Sequence, residues 1–194
     1  MSHSNDTLAV REEASVCHRG NLIKVLSEFS KSVTPSGEVV LRPVVPEDDS
    51  FLLRVFASTR ADEMAATGWL EVQQKVFLNM QYKLQKASYA DLFPGADHHI
   101  ILLDGEPIGR IMVDRTREDE LRGVDIAILP EFRNAQVGTF LILGLLNEAS
   151  ATGRPFRIRV EKLNEQAIKL YERLSFSKTG ETDTHIAMDW TSES

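Results

Sequence analysis

Two apolar runs, Val124–Leu129 and Phe156–Val160, flank a helix-length segment with a continuous apolar face, and this spacing constrains the fold more than any other feature of the chain. Strands joined through a helix must run parallel, because the crossover carries the chain back to its starting end of the sheet. Val137, Leu141, Leu145 and Ala149 line one face of the helix, about Val137–Ala151, and Gly153 ends it. Phe156, Ile158 and Val160 alternate with Arg157 and Arg159, the pattern of a half-buried strand. The first strand enters the helix through Leu129-Pro130-Glu131-Phe132-Arg133-Asn134-Ala135-Gln136-Val137-Gly138-Thr139, a Pro-marked turn followed by a basic loop. The first N–H groups of a helix lack partners and sit at the positive end of its dipole, so this loop suits phosphate held by main chain. Gly138 allows close approach and Arg133 adds charge. Ligands of open α/β sheets bind just beyond the carboxyl ends of the strands, where this loop lies.

Elsewhere the pattern is equally readable. Residues 1 to about 18 are polar with no period and read as a mobile tail. Leu22, Val25, Leu26, Phe29 and Val33 then fall on one face of a helix over about 20–34, stopped by Pro35-Ser36-Gly37. That helix either packs on its own domain, the reading taken, or forms a dimer or partner contact. The tail and helix make a 1–37 extension, and 38–194 the domain proper. The domain opens with a strand at Val39–Pro43. Pro46-Glu47-Asp48-Asp49 then signals a helix start, for a helix of about Asp48–Ser58. A longer helix over about Leu70–Ala90 carries a stripe of Val72, Val76, Met80 and Leu84, and Pro94-Gly95 closes it. Asp104-Gly105 between His99–Leu103 and Ile108–Val113 marks an antiparallel hairpin. Ile186, Met188 and Trp190 mark a last strand. Parallel and antiparallel pairs together imply a mixed α/β (α+β) sheet flanked by helices.

At 194 residues and 42% apolar content the chain is long enough to bury a full core without staples. One cysteine, Cys17, leaves no disulfide framework and suggests a reducing compartment, hence the cytoplasm. No run approaches the ~20 apolar residues of a membrane span, and Met1–Val10 lacks the features of a signal peptide. A net charge of −7 disfavours nucleic acid and mildly favours a cationic or amine-bearing substrate.

The loop Arg133-Asn134-Ala135-Gln136-Val137-Gly138 resembles the Q/R-x-x-G-x-G/A cofactor loop of the GNAT N-acetyltransferase superfamily, with Gln136 where glycine is usual. Downstream, Asn164-Glu165-Gln166-Ala167-Ile168-Lys169-Leu170-Tyr171, continuing to Ser175-Phe176, resembles that family's N-x-x-A-x-x-L-Y-x-x-x-G-F, with Ser175 in place of glycine. The resemblance runs roughly from 39 to 190. It implies the GNAT fold, a mixed sheet of about six to seven strands whose fourth and fifth, here Val124–Leu129 and Phe156–Val160, are splayed.

The same resemblance implies acetyl-CoA as co-substrate and direct acetyl transfer to a primary amine of a small molecule, peptide or protein. Tyr171 is then the proton donor to the departing thiolate and lies beside the cofactor. Its alternative is an amphipathic tyrosine packing between helix and sheet. Backbone of Ile126, Ala127, Ile128 and Leu129 pairs with the pantetheine arm, and Arg133, Asn134, Gln136, Val137, Gly138 and Thr139 hold the phosphates. Asn164 contacts the arm, caps its helix, or does both. Asp125, an acid inside an apolar strand, is the candidate base; a solvated edge carboxylate is the other reading, and the rivals are Asp114 and Glu106 acting through water, or an amine that arrives already neutral. The five histidines, His98 and His99 among them, show no metal-ligand spacing, so no metal is expected. The rival function is a noncatalytic GNAT-like domain whose 20–34 and 70–90 helices are interaction surfaces.

Overall fold

The structure, a computed structural model, describes residues 32–34 and 36–192. Eight strands form one sheet: β1 (Ser32–Thr34), β2 (Gly37–Pro43), β3 (Asp97–Leu103), β4 (Glu106–Asp114), β5 (Leu121–Ile128), β6 (Phe156–Glu161), β7 (Ser177–Glu181) and β8 (His185–Trp190). Their spatial order is β1-β2-β3-β4-β5-β6-β8-β7, and only the β5–β6 pair is parallel. The expected mixed sheet is present, with the short strands β1 and β7 at its two edges. β7 (Ser177-Lys178-Thr179-Gly180-Glu181) is mostly exposed, so no apolar alternation announces it. Ser32–Thr34, expected as the end of the N-terminal helix, is a strand: it ladders with β2, and Thr34 Oγ1 donates to Gly37 O at 2.9 Å. The remainder of that expected helix, with the polar leader and Cys17, lies outside the described residues.

Among the described residues five α-helices cover the sheet: α1 (Asp49–Thr59), α2 (Ala61–Thr67), α3 (Glu71–Leu92), α4 (Val137–Thr152) and α5 (Glu165–Arg173). Alternation along the strands sends Ile100 to one face and Ile101 to the other. Ile100 packs with Leu52 and Phe56 of α1 and Tyr82 of α3. Ile101 joins Leu141, Ile142 and Leu145 of α4, together with Phe156, Ile158 and Met188, in the larger core on the opposite face. Each such side chain, fully buried, contributes about 1.5–3 kcal/mol by leaving water. Among the described residues no helix is long and apolar enough to cross a membrane.

The stripe on α3 is turned outward. Val72, Val76, Met80 and Leu84 do not face the sheet but stand 49–68% exposed. The helix packs instead through Leu78 and Tyr82, with Gln85 directed at Arg110 of β4. Both rows obey helical spacing. The inward row also finds partners for its polar ends, since the Tyr82 hydroxyl donates to Asp49 Oδ1 at 2.8 Å.

The β5–β6 pair is paired only at its foot, where Leu121, Arg122 and Gly123 oppose Phe156, Arg157 and Ile158. Among the described residues, the β6-facing edge of β5 has no partner strand from Val124 onward. On its other edge a register shift between Met112 and Val113 leaves Val124 unopposed, a bulge that bends β5 where it departs from β6. Gly123 permits the close contact below this point. A Cβ there would stand 2.9 Å from Ile158 Cγ2 and 3.0 Å from Phe156 Cζ.

Candidate active site at the opening between β5 and β6

The loop that follows β5 is shaped for an anion. Pro130–Phe132 form one 3-10 turn, and Asn134 and Gln136 both adopt left-handed backbone, with φ of 66° and 59°. Gln136 occupies the N-cap of α4 and bonds nothing there through its side chain. A left-handed residue leading into a right-handed helix turns successive N–H groups toward one point. The first amide of the helix with a partner is that of Phe140, which donates to Gln136 O at 2.9 Å. Among the described residues nothing accepts from the amides of Gln136, Val137, Gly138 or Thr139. A Cβ on Gly138 would meet only Ile128 Cδ1, at an ordinary 3.7 Å, so nothing in the chain itself requires glycine there. Arg133 lies on the surface beside this loop, its Nε donating to Ile128 O at 3.1 Å.

Backbone alternation divides the β5 candidates. Leu129 N donates to Ile108 O at 2.9 Å, so its amide turns toward β4. Ala127 turns the same way, its carbonyl oxygen 2.3 Å from where a Gly109 Cβ would be. Ile126 and Ile128 therefore direct their N–H and C=O groups to the open edge, and the contact between Arg133 and Ile128 O agrees. The acceptor and donor row at the opening belongs to two of the four residues singled out from the sequence.

Tyr171 is set by the end of α5. Ser175 takes φ of 67°, its amide donating to Glu172 O and that of Phe176 to Tyr171 O, both at 3.0 Å. This paired reversal closes a helix and brings the residue after it back onto the last turn. Phe176 accordingly lies 5.2 Å from the Tyr171 ring and 5.8 Å from that of Phe156 at the closed foot of β5 and β6. Among the described residues no group hydrogen-bonds the Tyr171 hydroxyl. Burial pushes this phenol up to about 12, with the Asp125 charge adding to the effect. Asn164 caps α5, its Oδ1 accepting from Ala167 N at 3.1 Å.

Asp125 and Tyr171 come from opposite faces. Tyr171 packs on the α4 side, whereas Asp125, in phase with Ala127, points to the side of α1 and α3. The Asp125 charge nevertheless reaches the Tyr171 phenol. Arg110 Nη2 lies 2.5 Å from Asp125 Oδ2, the two side chains being 5% and 16% exposed. The approach is a close ion contact; among the described residues Oδ2 and Arg110 Nε are both buried without a hydrogen-bond partner. Burial raises the Asp125 carboxyl above its usual value, and Arg110 opposes the rise without cancelling it. Tyr89 of α3 senses the same charge, and Arg60 bridges to Glu161 at the end of β6 at 3.0 Å. Arg110, Tyr89 and the Arg60–Glu161 pair were not singled out from the sequence. For Arg110 a signal existed: like Asp125, it is a charge inside an apolar strand.

The rival acids stand elsewhere. Asp114 is 3% exposed and accepts from Thr116 N and Oγ1 at 2.9 and 2.6 Å, at the end of β4 opposite Arg122. Glu106 is exposed at the hairpin. His98 is partly buried, and this burial drives its pKa down to about 4. Among the described residues no group of three His, Cys, Asp or Glu could hold a metal ion.

The profile of the acetyltransferase (GNAT) family matches residues 61–176. The chain belongs to the GNAT acetyltransferase family. The match takes in both splayed strands, the α4 loop and Tyr171. The GNAT fold is also that of solved structures. The PaiA N-acetyltransferase of Thermoplasma acidophilum, determined with coenzyme A, aligns with a TM-score of 0.59 at 16% identity, over 79% of this chain and 98% of that one. An acetyltransferase of Thermus thermophilus gives 0.57 at 16% identity over 79% and 96%. Ard1 of Thermoplasma volcanium gives 0.52 at 19% over 79% and 97%. At these identities the likeness is one of fold. No curated protein sequence matches the chain.

Proposed function

We propose that this GNAT domain is an N-acetyltransferase that uses acetyl-CoA and a primary amine of a small molecule, peptide or protein, by direct attack. The observation that carries the reading is continuity: the edge of β5 that β6 leaves open runs into four amides, those of Gln136–Thr139, that have no partner among the described residues. These groups fit acetyl-CoA, which when bound supplies an activated thioester. Amides of Gln136–Thr139 hold its phosphates, with Arg133 and Asn134 on the rim, and Ile126 and Ile128 offer main chain to the pantetheine arm. Asn164, whose Oδ1 caps α5, borders the same arm with its side-chain NH₂. Asp125 accepts the proton of the attacking amine, directly or through water, and Tyr171 Oη gives a proton to the leaving thiolate. An amide at the open edge polarises the carbonyl as charge develops on its oxygen. We place the reaction in the cytoplasm, as the single cysteine suggests.

Titration calorimetry with acetyl-CoA, followed by thiol release with a panel of primary amines, tests the proposal. Saturable binding and amine-dependent release are expected. The second reading, a noncatalytic binding module, draws on the exposed apolar row Val72, Val76, Met80 and Leu84. It would stand if both the wild type and Gln136→Gly remained folded yet failed to bind acetyl-CoA at millimolar concentration.

A further inference from the structure

Arg110 is a full positive charge in the middle of an apolar strand, next to Ile111, Met112 and Val113, and its side chain is 5% exposed. Arginine does not shed its proton at such a site, so the charge is buried as a charge. A buried ion pair is a poor source of stability, and an apolar side chain of similar volume commonly serves the fold as well. The surroundings do not satisfy the guanidinium either: Nε has no hydrogen-bond partner, while Nη2 donates to Gln85 Oε1 of α3 at 2.8 Å. The same Nη2 also lies against Asp125 Oδ2.

We propose that Arg110 is a positioning residue for the reaction above: held from α3 by Gln85, it clamps Oδ2 of Asp125 and leaves Oδ1 to take the proton of the acceptor amine. The inference rests on the assignment of Asp125 as base. Register supports the clamp, since Arg110 opposes Ala127 and Met112 opposes Asp125, which makes Arg110 and Asp125 diagonal neighbours on one face. The bulge at Val124 immediately before Asp125 sets that phase. Solvent reaches the Asp125 side chain but not Oδ2.

The clamp also governs proton affinity. Burial and Glu161 on β6 favour the protonated carboxyl; Arg110 on β4 and Arg60 at the α1–α2 junction favour the carboxylate. Tyr89 of α3, on the same side, and Tyr171 of α5, across the sheet, are neutral phenols that feel the same charge. Arg110 is the contacting cation of the two. Without it, burial and Glu161 are opposed by Arg60 alone of these two cations, and the carboxyl is pushed further up.

The test is a carbon-13 NMR titration of carboxyl-labelled aspartates in the full chain, with Asp125→Asn identifying the Asp125 signal. Arg110→Met is expected to raise the Asp125 midpoint by one pH unit or more. Arg110→Lys, which keeps the charge but loses the fork, and Gln85→Met, which frees the guanidinium, are expected to raise it by smaller amounts. An Asp125 midpoint indistinguishable from wild type in the folded Arg110→Met protein overturns the proposal. If Arg110→Met does not melt cooperatively, wild-type midpoints in both other variants overturn it. Failure of the underlying reading looks different: the Asp125 midpoint moves, yet Asp125→Asn transfers acetyl groups from acetyl-CoA to amines at the wild-type rate. That result removes the base, and the clamp with it.

Discussion

Ser175 and Gln136 stand where the family motif has glycine, and both have positive φ. An L-residue in that region carries roughly 1–2 kcal/mol of strain. Ser175→Gly should therefore stabilise the fold by a net 0.5–1 kcal/mol, roughly, after the extra freedom of glycine in the unfolded chain is subtracted. Denaturant unfolding checks this; equal or lower stability would mean that the serine side chain makes up for its backbone. Gln136 is exposed at the N-cap without a side-chain capping bond. Gln136→Gly should leave acetyl-CoA affinity unchanged or tighten it. Weakening by about 1–3 kcal/mol would reveal a hydrogen bond from its side chain to a phosphate. Tyr171→Phe keeps the ring packing on Phe176 and removes the hydroxyl. It should lower kcat by roughly 10²–10⁴ with little change in acetyl-CoA affinity, and an unaltered kcat would reduce Tyr171 to a packing residue.

At the scale of elements, the start of α4 separates stability from binding. Gly138 has ordinary helical backbone and room for a methyl group, so Gly138→Ala should be accommodated and raise stability by about 0.5 kcal/mol through helix propensity. The same methyl would stand among the orphaned amides, where a phosphate must come close. Acetyl-CoA affinity should fall tenfold or more, read by calorimetry beside a melting curve. Unchanged affinity would move the anion site away from this helix. This element was legible in the sequence because its signals are local: a proline turn, a glycine in the first turn and an apolar face at spacings of three and four. α3 was legible as a helix but not in orientation. It carries two rows at helical spacing, and Gln85 and Tyr82 face inward because Arg110 and Asp49 wait there, far away in sequence.

For the whole molecule, buried charge links the sheet to its coverings and makes stability depend on pH. Asp97, Arg115 and Glu148 tie β3 and the end of β4 to α4, and Glu120 gathers Arg122 and Arg157 at the closed foot of the splay. His98, on β3 beneath α1 and α3, is held neutral down to about pH 4, first by burial and then by the Arg110 charge. An unfolded chain takes up that proton near pH 6.5, so protons favour unfolding between the two values. Stability should fall as pH drops from about 6.5 to about 4, and the slope of melting temperature against pH should be shallower in His98→Gln. Identical slopes would mean that His98 titrates normally in the folded protein. The sequence by itself determined the parallel crossover, the helix start at Val137 and the Tyr171 helix, since residues within one turn or one pleat of each other decide these features. Tertiary structure alone decided the edge strands, the inward face of α3 and the meeting of Arg110 with Asp125. The last depends on a bulge at Val124 and on the register of β4 against β5, and a register is chosen by packing over the whole sheet rather than by any local stretch of chain.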